Sequence, residues 1–97
     1  MHFMISARQK EIIINTLMPY QPKKIGAFGS YARGENTDKS DLDLLVEFGA
    51  KISLLDLAGL TQDLSEHLHI KVDLVTQGGL SPYIRPYVER DYKSILP

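Results

Sequence analysis

Residues 41 to 48 read Asp-Leu-Asp-Leu-Leu-Val-Glu-Phe. A chain of this size must bury such an apolar run, yet the run opens with two carboxylates that resist burial. In an extended strand side chains alternate between faces. Asp41 and Asp43 therefore share one face, and Leu42, Leu44 and Val46 share the other. The fold must supply an apolar core on one side and something different on the other. At about 3.3 Å per residue the two aspartate Cα atoms stand roughly 6.5 Å apart. Two like charges at that separation repel by roughly 3 kcal/mol at an effective dielectric near 20. A raised pKa, exposure to water or a cation between them would each relieve this.

The other elements follow from caps and chain breakers. Ser6 with Gln9 is a capping-box pattern that starts a helix near Ala7. Ile13, Ile14, Leu17 and Met18 give that helix an apolar face, and Pro19 and Pro22 end it. Lys24 to Phe28 is a short apolar run between turn signals and reads as a buried strand. Gly29-Ser30 breaks it, Tyr31 to Arg33 form the first turn of a short helix, and Gly34 closes that turn. A polar loop over 35–40 leads to the second strand, Leu42 to Phe48. Ser53 with Asp56 repeats the capping pattern, and Leu54, Leu57, Ala58, Thr61, Leu64 and Leu68 mark one face of the next helix. Lys71 to Thr76 is a third strand. Ser81-Pro82 reads as N-cap and first residue of a last helix, kinked at Pro86, with Tyr83, Tyr87 and Tyr92 read as its packing face. Tyr92 to Leu96 form a final short strand. Strands alternating with helices describe an α/β (α+β) fold, a single small mixed β-sheet packed with helices, in one domain over residues 1–97.

Composition narrows the function classes. The formal net charge is −1 over 97 residues, and the basic residues are scattered. Extended nucleic acid is disfavoured as a partner, because its binders usually carry a basic stripe. There is no cysteine, so disulfides and thiolate zinc sites are excluded. No apolar run approaches a membrane span, and the first residues lack the apolar stretch of a signal peptide. No membrane association is expected, and the expected location is cytoplasmic.

The polar face of the second strand carries the chemistry. Gly29 at a strand end lets the backbone approach a ligand closely. Ser30 adds a hydroxyl, and the free N–H groups of a helix start attract anions. A phosphate site facing a carboxylate pair is what metal-assisted phosphoryl transfer needs. Magnesium takes one or two carboxylates and fills its octahedron with water and substrate phosphates. Asp73 lies in the apolar stretch Lys71-Val72-Asp73-Leu74-Val75. If the second and third strands are neighbours, it reaches the pair and can hold an ion or accept a proton. Competing phosphate motifs fail. Gly29 and Gly34 have P-loop spacing, but Glu35 and Asn36 replace the required Lys and Ser/Thr. Phe28 stands where a dinucleotide fingerprint or a hydrolase elbow needs glycine. His67 and His69 sit at a helix end, where they complement the dipole better than they suggest a metal site.

Gly29-Ser30, ten residues, then Asp41-Leu42-Asp43 resembles the signature of the DNA polymerase β-type nucleotidyltransferase superfamily. The fuller pattern GSYARG…SDLDLLV followed by VDLV is similar to that of its minimal members. The similarity spans Lys24 to Val75. It implies a nucleotidyltransferase fold, with Gly29 and Ser30 binding the triphosphate of ATP or another NTP. It also implies Asp41 and Asp43 as ligands of Mg2+, with Asp73 as third metal-binding and catalytic carboxylate. Arg33 matches a family arginine placed to touch phosphate. Many minimal members are antitoxins paired with a helical HEPN-domain toxin, and some transfer AMP from ATP to a toxin tyrosine. Others act by binding alone, so a non-catalytic module that neutralises or scaffolds a helical partner is the alternative. Larger relatives add a domain that grips base and acceptor. This chain ends shortly after Asp73, so selectivity and acceptor placement are expected from a partner in a homo- or hetero-oligomer.

Overall fold

The computed structural model describes residues 5–96. Its elements run α1 (Ala7–Leu17), β1 (Pro22–Phe28), α2 (Gly29–Arg33), β2 (Leu42–Phe48), α3 (Leu54–Leu68), β3 (Val72–Thr76), α4 (Arg85–Asp91) and β4 (Lys93–Ser94), with single 3-10 turns at Met18–Tyr20 and Gln77–Gly79. Both capping boxes form. The Gln9 amide donates to Ser6 Oγ and the Ser6 amide to Gln9 Oε1, at 3.1 and 2.9 Å. The Asp56 amide donates to Ser53 Oγ and the Ser53 amide to Asp56 Oδ2, at 3.0 and 3.2 Å. Each box satisfies two amides that a helix start leaves without partners.

The four strands form one mixed sheet in the order β3-β2-β1-β4. β1 is antiparallel to β2 and β4, whereas β3 is parallel to β2. A parallel neighbour needs a crossover, and α3 supplies it. One sheet face carries Ile25, Ala27, Leu42, Leu44, Val46, Val72 and Leu74. These pack on Ile13 and Leu17 of α1 and on Leu60, Leu64 and Leu68 of α3. The alternation in β2 thus holds for Leu42, Leu44 and Val46. Leu45 points the other way and is also buried, beneath Leu80 and Val88, with Phe28, Val75 and Tyr92 around it. The chain after β3 crosses this second face, which alternation within β2 alone would leave to solvent.

Three expectations shift. The α3 face is centred on Leu57, Leu60, Leu64 and Leu68, and Leu54 is 86% exposed at the helix start. The last helix begins at Arg85, not at Ser81-Pro82. The Arg85 amide still reaches Ser81 O at 3.1 Å, but Pro86 has no N–H to extend that ladder, so Pro86 sits in the first turn of α4 and does not kink it. Tyr83 and Tyr87 are 87% and 59% exposed. They are not the packing face; Val88 is.

Candidate active site

The sheet register assembles the site. In the antiparallel ladder Asp43 stands opposite Phe28, the last residue of β1, so Gly29 and Ser30 begin α2 beside it. In the parallel ladder Asp43 stands opposite Asp73. Asp41, Asp43 and Asp73 therefore lie at the entry ends of two neighbouring strands, on the face away from the large core. Sequence spacing anticipated the first pair; the juxtaposition with Asp73 needed β2 and β3 to be neighbours, and they are.

Gly29 has φ +74, and a Cβ built on it would collide with Asp43 Oδ2. Only glycine meets both conditions without strain. No side chain caps the start of α2, so its first amides remain available to a ligand. Asp43 is half-buried. Burial first, then the charges of Asp73 and Asp41, push its carboxyl up to about 6, while Arg33 pulls it down. The repulsion inferred from spacing is thus present at Asp43, behind burial and the charge of Asp73. The Asp41 side chain is partly exposed, and Lys71 Nζ lies 3.9 Å from its Oδ2, a weak exposed pair.

The donor set is one of hard oxygens with excess negative charge, which suits a hard divalent cation such as magnesium. Among the described residues no group of three or more His, Cys, Asp or Glu is placed to cage a metal ion. A cation at Asp41 and Asp43 would therefore draw its remaining ligands from phosphate and water, the usual arrangement for magnesium at nucleotide sites. His67 Nδ1 lies 2.7 Å from Asp63 O within its own helix, and His69 ends α3 with φ 56. A surface cavity of about 480 Å3 lies near the far end of β2, lined by residues such as Phe48, Ile52 and Leu57 and by none of the site residues.

Arg33 ends α2. Its Nε donates to Glu35 Oε1 at 2.7 Å and its Nη1 to Asp91 Oδ2 at 2.6 Å. Asp91 was not legible in the sequence. It ends α4, and its partner lies 58 residues earlier, beyond any local pattern.

A nucleotidyltransferase domain model matches residues 10–95. Over 73 residues, 74% of each chain, the sequence is 47% identical to a Methanocaldococcus jannaschii protein described as a "putative protein adenylyltransferase". It is 42% identical over 69 residues to the protein adenylyltransferase MntA of Thermococcus cleftensis, covering 71% of this chain and 70% of that one. The crystal structure of a toxin–antitoxin with AMP-PNP superposes with a TM-score of 0.81 at 27% identity, covering 90% of this chain and 72% of that one. The mixed sheet with its flanking helices is thus the fold of the minimal nucleotidyltransferases, and the chain belongs to the nucleotidyltransferase-domain family and is a nucleotidyltransferase.

Proposed function

We propose that the chain is a magnesium-dependent adenylyltransferase antitoxin, moving AMP from ATP to a tyrosine hydroxyl of a HEPN-type toxin. The observation that carries the proposal is the Asp43–Asp73 pairing across the parallel ladder, with Gly29 against Asp43. The likeness to an MntA adenylyltransferase and to a toxin–antitoxin structure supports the partner class.

Gly29 and Ser30 hold the triphosphate through backbone N–H groups and the serine hydroxyl, and Arg33 adds a cationic contact. Asp41 and Asp43 hold the cation. Bound magnesium would neutralise the phosphate oxygens and polarise the α-phosphorus. The acceptor oxygen forms a bond to the α-phosphorus and the bond from it to the bridging oxygen breaks. Pyrophosphate leaves with that electron pair, and the hydroxyl proton passes to Asp73 as general base.

The test is incubation with α-labelled ATP, magnesium and the co-expressed partner. Label is expected on a partner tyrosine and is expected to vanish in Asp41→Asn with Asp43→Asn. Label that persists in this double variant would sink the reading. If the double variant still neutralised the toxin in cells, binding alone would account for the antitoxin effect.

A further inference from the structure

Asp91 is a buried carboxylate with two cations on it. Its side chain is 6% exposed and accepts from Arg33 Nη1 at 2.6 Å and Arg90 Nε at 3.1 Å. A buried charge of this kind is tolerated only when well paired. Burial alone would raise its carboxyl, but hydrogen bonds from Arg90 and Arg33 outweigh that and hold it below its ordinary value. Arg33 is four residues after Gly29, hence on the same side of α2, one turn along. Helical side chains lean toward the N-terminus, which here is the Gly29-Ser30 turn. A guanidinium carries five N–H donors in a fixed plane. Glu35 and Asp91 each take one, so the other donors remain for an anion. The fork is gripped from two sides and keeps its open edge.

Resting on the nucleotide reading above, we infer that Asp91 is a positioning residue, which fixes the Arg33 guanidinium so that its remaining donors meet the nucleotide's phosphates. The latch between α2 and α4 is then more than a packing device. It ties the geometry of the phosphate site to the seating of the last helix, which exposes Tyr87 and follows a turn that exposes Tyr83.

The test measures the dissociation constant of a fluorescent, non-hydrolysable ATP analogue in magnesium, together with the melting temperature. Asp91→Asn is expected to weaken nucleotide binding about tenfold or more. Asp91→Glu keeps the charge and shifts it by one methylene; it is expected to weaken binding at a nearly unchanged melting temperature, and it carries the test if the Asn variant fails to fold. Arg33→Ala is expected to weaken binding at least as much, and adding Asp91→Asn to it is expected to cause little further loss, because Asp91 acts through Arg33. Independent, additive losses in the double variant would overturn the inference, because Asp91 would then not work through the guanidinium. Wild-type binding in both Asp91 variants would overturn it too. Failure of the wild-type chain to bind nucleotide would instead fail the functional reading, and this inference with it.

Discussion

At Gly29 a backbone demand and a steric demand coincide. The residue sits at φ +74, with the Asp43 carboxylate where a side chain would begin. Gly29→Ala is expected to cost about 1–2 kcal/mol from the left-handed conformation alone, read from urea denaturation, and to abolish AMP transfer by displacing Asp43. The carboxylate itself gives a pH signature. Its folded pKa of about 6 stands above the ordinary 3.8. The stability linked to its proton is fully present below about pH 4 and is lost as pH rises through 6. Asp91 has the opposite sign. Its lowered pKa gives stability present above 3.8 and lost only on further acidification. The two windows therefore separate. Asp43→Asn should flatten the stability profile between pH 4 and 7 and, without ligands, raise stability at pH 7.5. Because the group is only half-buried, solvent screening holds the gain to about 1 kcal/mol. Denaturant midpoints measured across pH 4–8 check both signs. The placement of Gly29 and Ser30 beside Asp43, with Asp41 at the same strand end, was legible because the turn and the strand alternation are local. Asp91 was not, because a buried ion pair between distant helices leaves no local trace.

Among the elements, those with their own caps were the most readable. Ser6 with Gln9 and Ser53 with Asp56 mark helix starts that the structure keeps. The start of α4 was misplaced because Pro86 decides it by lacking an N–H, while Ser81 makes a local turn of its own; its Oγ accepts from the Tyr83 amide at 3.2 Å. The least legible pairing was β1 with the segment after α4. The hydroxyl end of the Tyr92 ring occupies the space of the missing side chain at Gly26 on β1, and Lys24 Nζ lies 4.6 Å from the ring centroid. The ring also borders Leu45, Leu80 and Val88, which close the site side of the sheet. Gly26→Ala is expected to push Tyr92 off the strand and destabilise by about 1–3 kcal/mol, as over-packing does. Tyr92→Leu should relieve part of that cost when combined with it, because a narrower side chain vacates the clash. Urea denaturation of the two single variants and the double variant gives the coupling directly.

For the molecule as a whole, the site holds repulsion that a bound cation would release. Asp43 and Asp73 face each other across β2 and β3, Asp41 shares their end of the sheet, and exposed Lys71 is a poor counterion at 3.9 Å from Asp41. The large apolar core on the opposite face holds the strands in register despite this cost. A ligand that binds only the folded chain stabilises it by about 2.7 kcal/mol at a hundred times its dissociation constant. For a domain of about 100 residues each kcal/mol moves Tm by roughly 4–8 °C. The wild-type chain in a chelator should therefore melt below Asp41→Asn with Asp43→Asn, which lacks the repulsion. Saturating magnesium and a non-hydrolysable ATP analogue should reverse that order, raising the wild-type Tm by about 10 °C or more and leaving the double variant nearly unmoved. Thermal melts of both proteins, in chelator and in magnesium with nucleotide, test this crossover. An equal shift in the two proteins would mean that the nucleotide binds without these carboxylates. No shift in either would mean that their repulsion serves no cation at all.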